Sequence, residues 1–167
     1  RNRQPRAKPK CFISRLRRSA EKGTYHCTRA DIGPQTLDDC VVIACPDRHA
    51  TPAQLLSMAR WLLSRFTGRC WLGIDQPQHA DDEIRLLRLR EAGALTEIPL
   101  VAVGDVTMHV RSRKPLQDVL TATRLGKPLT ECGQALDRNA ERHLRHRSRL
   151  ALSFPADLLA ETLRVVE

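Results

Sequence analysis

The first part of the segment GDVTMHVRSRKPLQDVL (104–120), before its helix, packs an acid, a histidine and three cations into one short stretch: Asp105, His109, Arg111, Arg113 and Lys114. A carboxylate and an imidazole so close to three cations make this the most informative stretch of the chain. The cations beside them suit phosphate oxygens. A second basic tract, RNAERHLRHRSR (138–149), adds Arg142, Arg145, Arg147 and Arg149 as phosphate donors. Neither tract holds an aromatic residue on which a base would stack. The bland alternative for both is a solvated face, or ion pairing to a further domain. Asp81-Asp82-Glu83 is the acid cluster of the chain, and its place at the head of an apolar-periodic run reads as a helix start, where carboxylates complement the macrodipole. The other histidines, His26, His49, His79, His143 and His146, form no His-x-His pair. A phosphate-cradling glycine loop and a G-x-S-x-G elbow are both missing, which removes nucleotide-triphosphatase and serine-hydrolase chemistry on motif grounds.

These groups must be positioned by elements that alternate. Phe12 to Lys22 reads as a helix stopped by Gly23, and Thr28 to Asp31 has the form of a capping box for a short turn. CVVIAC (40–45), RCWLGI (69–74) and PLVAV (99–103) are short apolar runs bounded by turn residues, as buried parallel strands require. Between them, Thr51-Pro52 opens a helix carrying Leu55, Leu56, Ala59, Leu62, Leu63 and Phe66, and Asp81 to Ala92 forms another that Gly93 ends. Pro115 opens a third, with Leu116, Val119, Leu120 and Leu125 before Gly126. After a loop through Asp137 and the basic tract, Pro155 starts a last helix with Leu158, Leu159, Leu163 and Val166. The rhythm predicts an α/β fold with a mainly parallel sheet, open or curled into part of a barrel. Asp75 and Asp105 then stand at C-terminal strand ends, where sites gather in both architectures.

A net charge of +9 favours an anionic partner such as nucleic acid. The start, RNRQPRAKPK, is basic with two prolines and reads as a disordered arm over residues 1–10. No apolar run reaches the length of a membrane span and no signal-peptide core follows the arm, so the expected location is cytoplasmic. Cys11, Cys27, Cys40, Cys45, Cys70 and Cys132 show no C-x-x-C pair and read as reduced core cysteines.

The 104–120 string resembles the PHP-domain segment of the bacterial C-family error-prone DNA polymerases, relatives of the polymerase III alpha subunit. Its usual form there is Gly-Asp-Val-His-Met-His-Val-Arg-Ser-Arg followed by a Pro-Leu-Gln-Asp helix. RRSAEKGTY (17–25) and FTGRCWLGI (66–74) match before it, and LTATRLGKPLTECGQAL (120–136), NAERHLR (139–145) and FPADLLAETL (154–163) after it, so the likeness is collinear over about residues 12–167. It implies the C-terminal part of a distorted PHP-type β/α barrel over residues 11–126. A basic loop and helical linker over 127–167 would lead toward a polymerase palm. Intact members of that wider group gather histidines and carboxylates around divalent Mg, Mn or Zn.

The family's late Asp-x-His metal motif falls on Asp105 and Thr107, and a neutral hydroxyl replaces imidazole poorly. Asp105 is left as a residual, weak ligand, with His109 a less favoured one. The palm carboxylates that hold two metals for nucleotidyl transfer are not in this stretch. The resemblance therefore implies a non-catalytic fragment of a DNA polymerase active in damage-induced synthesis and repair. No cofactor of its own is expected, and its partners are DNA and the remaining polymerase domains. Two alternatives stay open. A stand-alone metal-dependent phosphoesterase is opposed by Thr107 and by the missing His-x-His pair. A basic nucleic-acid-binding module is favoured by 138–149 and opposed by the collinear strings.

Overall fold

The computed structural model describes residues 9–21, 24, 26–33, 37 and 40–166. Residues 1–8 of the expected arm lie outside that set, as do Gly23, Pro34, Asp38 and Asp39. The first helix, α1 (Pro9–Arg18), begins earlier than its apolar residues suggested, with proline at the position that lacks a helical N–H partner anyway, and it ends before Lys22. The turn at Arg29–Asp31 is closed as its sequence predicts: the Asp31 carboxylate accepts from the Thr28 amide and hydroxyl, each at 2.7 Å.

The core is a three-stranded parallel sheet in the order β1 (Val42–Ala44), β2 (Cys70–Ile74), β3 (Leu100–Ala102). Val42 pairs with Cys70, and Leu72 with Leu100. Helices α2 (Pro52–Phe66) and α3 (Asp82–Thr96) make the two crossovers. Thr51 caps α2 reciprocally with Gln54: its hydroxyl accepts from the Gln54 amide at 3.3 Å, and Gln54 Oε1 accepts from the Thr51 amide at 2.8 Å. Leu55, Ala59, Leu62 and Phe66 recur on one face of α2 and are buried with Cys70, Leu72 and Ile74 of β2 and Leu89 and Ala92 of α3. Each fully buried Leu or Phe contributes about 1.5–3 kcal/mol. Because side chains alternate along a strand, the face carrying Val42, Leu72, Ile74 and Leu100 meets α2 and α3, while Ile43, Gly73 and Val101 belong to the other.

Helix α3 departs from its expected end. It runs through Gly93, which is buried because Leu100 Cδ1 and the Ile98 carbonyl approach where a side chain would begin, and it stops at Glu97 in a left-handed conformation (φ 58°). Its buried stripe is Asp82, Arg85, Leu89, Ala92, Gly93 and Thr96, so Ile84 and Leu87 face outward.

After β3 come a 3-10 turn at Arg111–Arg113, α4 (Lys114–Leu125), ended by Gly126 at φ 63°, and two further 3-10 turns, followed by α5 (Arg147–Ser153) and α6 (Ala156–Arg164). Helix α5 starts at the end of the basic tract 138–149, ahead of the last helix that the sequence predicts. Helix α6 packs against β3 and is tied to α3 by Arg90–Asp157 (2.9 Å) and to β2 by the Trp71 indole donating to Glu161 (2.7 Å).

The fold is thus mixed α/β with a small open parallel sheet. Cys70 and Cys132 are core residues as expected, but Cys27 is exposed in the loop before the Arg29–Asp31 turn, and Cys45 is exposed and Cys40 half-buried because the apolar run at 40–45 supplies only a short strand at the sheet edge. The Cys11 side chain lies outside the described set. None of the described helices is long and apolar enough to cross a membrane.

Candidate functional site

The chain leaves β2 at Asp75 and β3 through Val103 and Gly104 to Asp105, which adopts φ 41°. Both carboxylates meet a guanidinium. Arg142 Nη1 lies 3.0 Å from Asp105 and 3.5 Å from Asp137, and Nη2 lies 3.8 Å from Asp75. Arg142 is held there by its backbone, whose carbonyl accepts from the Thr107 amide (2.9 Å), the Met108 amide (3.1 Å) and the Thr107 hydroxyl (3.4 Å). An isolated parallel bridge, Met108 to His143, extends this join. On its other side Asp75 takes Arg85, whose Nη1 also donates to the Asp75 carbonyl at 2.9 Å and whose Nη2 donates to the Pro46 carbonyl at 3.3 Å. The field of these acids reaches Cys45: burial first, then Asp105 and Asp75, push its thiol pKa up.

Of the residues on the expected metal motif, Asp105 and Thr107 both have partners within the chain. Thr107 turns its hydroxyl to a backbone carbonyl, and Asp105 is engaged by Arg142. His109 is exposed and shares no hydrogen bond or ion pair with either among the described residues. Asp75, Asp105 and Asp137 do not fit a divalent ion while a fixed cation already balances them.

Another trio, His79, Asp81 and Asp82, has donor atoms close enough to share a cation. Both of its carboxylates, however, accept from Arg48 Nη2, with Asp81 at 2.6 Å, and the second Asp82 oxygen accepts from the His79 amide at 3.0 Å. The Arg48 hydrogen bond holds the Asp81 carboxyl below the usual range. A metal here would have to displace that guanidinium from both acids. The acid cluster read as a helix start is thus also an inter-loop clamp.

The predicted phosphate donors divide. Lys114 pairs with Asp118 at 2.5 Å, and Arg142 is locked as described. Arg145 is 9% exposed and donates to the carbonyls of Gln76 (3.2 Å) and Glu141 (2.9 Å). Arg111 bonds Glu141 at 2.7 Å yet stays half-exposed. Arg113, Arg147 and Arg149 are exposed and make no ion pair among the described residues. Arg149 borders a cleft of about 720 Å3 between the loop after β2, the loop before α4 and α5. Sequence reasoning placed Asp75 and Asp105 at strand ends but missed Arg48, Arg85 and Asp137. Arg85 alone left a trace, a cation at helical spacing with Leu89 and Ala92.

No protein-family model matches the chain. It is 44% identical over 158 residues to the error-prone DNA polymerase of Dechloromonas aromatica, covering 92% of this chain and 15% of that protein. The error-prone DNA polymerase of Methylococcus capsulatus is 44% identical over 156 residues, covering 93% of this chain and 14% of that protein. That of Burkholderia mallei is 43% identical over 164 residues, covering 93% and 15%. The chain therefore spans about 15% of the length of these curated relatives.

Proposed function

Because the chain is homologous to one segment of bacterial error-prone DNA polymerases, we propose that it serves as a non-catalytic scaffold within such an enzyme. In this reading residues 11–126 are the C-terminal part of a PHP-type β/α barrel, and 127–167 form a basic and helical linker toward the palm. The parent copies DNA during damage-induced synthesis, and this segment contributes structure and electrostatics rather than chemistry.

The observation that carries the reading is Arg142. A fixed guanidinium within 3.0 Å of Asp105 and 3.5 Å of Asp137 supplies the positive charge that metals supply in a phosphoesterase. It neutralises the strand-end acids and supports the loops, but it cannot deliver a metal-bound hydroxide. Arg113, Arg147 and Arg149 would add weak, sequence-independent contact to DNA phosphates.

The purified chain, assayed with Mn2+, Zn2+ or Mg2+, should show only background release from phosphomonoesters and no primer extension. Metal-dependent hydrolysis that disappears in Asp105→Ala would overturn the reading.

A further inference from the structure

The cleft beside α5 differs from the rest of the basic surface in having both a free cation and an apolar wall. Its lining includes Arg149, Arg111, Ser112, Val110 and Leu152. About 720 Å3 is within the range of small-ligand sites, enough for a nucleotide unit.

The charges facing the cleft sort themselves by partner. Asp82 is engaged by Arg48, and Glu141 by Arg111 and Arg145. Glu83 is the lining acid without an ion pair among the described residues, and it belongs to the first turn of α3 rather than to α5. Arg149 has no such partner, and Arg111, with 52% of its side chain exposed, keeps donors beyond the Glu141 bond. The α5 side is therefore the phosphate-seeking side. Leu152, 83% exposed, lies one turn from Arg149 on the same helix and, with Val110, forms an apolar wall next to those cations.

From this we infer that the cleft holds one nucleotide of single-stranded DNA, its phosphate on Arg149 and Arg111 and its base against Leu152 and Val110. The inference rests on the DNA-contact part of the proposed function and narrows it to a place and a strand state. A duplex keeps its bases stacked inside and presents phosphates on a convex surface, so it would meet the cations but leave the apolar wall unfilled.

The test is fluorescence anisotropy of the full chain with an end-labelled oligothymidylate at several salt concentrations. Arg149→Glu should weaken binding roughly tenfold or more and flatten the log–log salt slope by about 0.7 for the lost phosphate contact. Leu152→Ala should weaken it severalfold and leave the slope unchanged. Arg65→Glu, the same charge change on an exposed α2 position, should have the smaller effect of a general loss of positive field.

If Arg65→Glu costs as much as Arg149→Glu, or if a duplex of the same length competes equally, the cleft inference fails while general DNA contact stands. If the unaltered chain binds no oligonucleotide at low salt, both fail. Leu152 is so exposed that its truncation leaves the fold intact, so an unchanged affinity there would also overturn the base-binding half of the inference.

Discussion

Arg48 reaches Asp81 and Asp82 from another loop, and its effect on Asp81 can be read by titration. The hydrogen bond favours the carboxylate, so the folded-state pKa lies below the unfolded one. The contribution to stability is present above the ordinary aspartate value of about 3.9 and is lost as the pH falls through the lower folded value. In Arg48→Met the Asp81 carboxyl should titrate nearer its ordinary position, and the strongly acid limb of the unfolding curve should flatten; NMR of the carboxyl carbon reads this directly. An unmoved Asp81 titration would show that the pair has no electrostatic weight in solution. At this scale the sequence disclosed one half of each pair. Asp75 and Asp105 could be placed at strand ends because apolar runs stop just before them. Arg142, 37 positions beyond Asp105 in the numbering, could not be joined to them, since nothing in the spacing of a basic tract says which of its arginines turns inward. Arg142 went to the strand-end carboxylates and Arg145 to backbone carbonyls, leaving Arg147 and Arg149 outside.

Element by element, legibility followed how many independent signals agreed. Helix α2 carries a cap, a first-turn proline and an unbroken apolar stripe, and it forms where those three coincide. Helix α5 begins on the His146 cap inside a tract with almost no apolar period, so periodicity could not reveal it. Gly93 was ambiguous in principle, because glycine marks a helix end as readily as a close approach. Its role as a close approach reverses the usual sign of a helix substitution. In an exposed helix Gly→Ala stabilises by about 1 kcal/mol. At Gly93 an added Cβ would stand 2.5 Å from Leu100 Cδ1 and 2.9 Å from the Ile98 carbonyl. The leucine can rotate, but the backbone oxygen can retreat only by moving the α3–β3 connection. Gly93→Ala should therefore destabilise by about 1–3 kcal/mol, seen as a lower denaturant midpoint with an unchanged slope. A midpoint that rises would mean that α3 stands off β3 farther than the packing of Leu100 implies.

For the molecule as a whole, the consequence of an open sheet depends on which of its boundaries is covered. On the β3 side, α6 packs against the strand and is fastened to α3 by Arg90–Asp157. On the β1 side no described residue pairs with the outer edge, and Val41 and Ile43 remain 50% and 38% exposed beside it. Helix α4 leaves a further apolar strip uncovered at Leu116, Val119 and Leu120. Unpaired strand groups flanked by apolar side chains are a template for another chain, whereas an amphipathic helix strip gives only loose, unregistered contact. The isolated chain is thus expected to self-associate through β1 as its concentration rises, and size-exclusion chromatography with light scattering measures this directly. A cation placed on an edge strand opposes pairing without touching the core. Ile43→Lys should restore a monomer with little change in melting temperature, because Ile43 is outside the cluster formed by Leu62, Phe66 and Leu72. Leu120→Lys, on the α4 strip, should leave most of the association in place. If Leu120→Lys alone yields the monomer, the helix strip is the contact and the strand edge is innocent. A chain that stays monomeric at every concentration without either change would show that the β1 edge is already closed in solution.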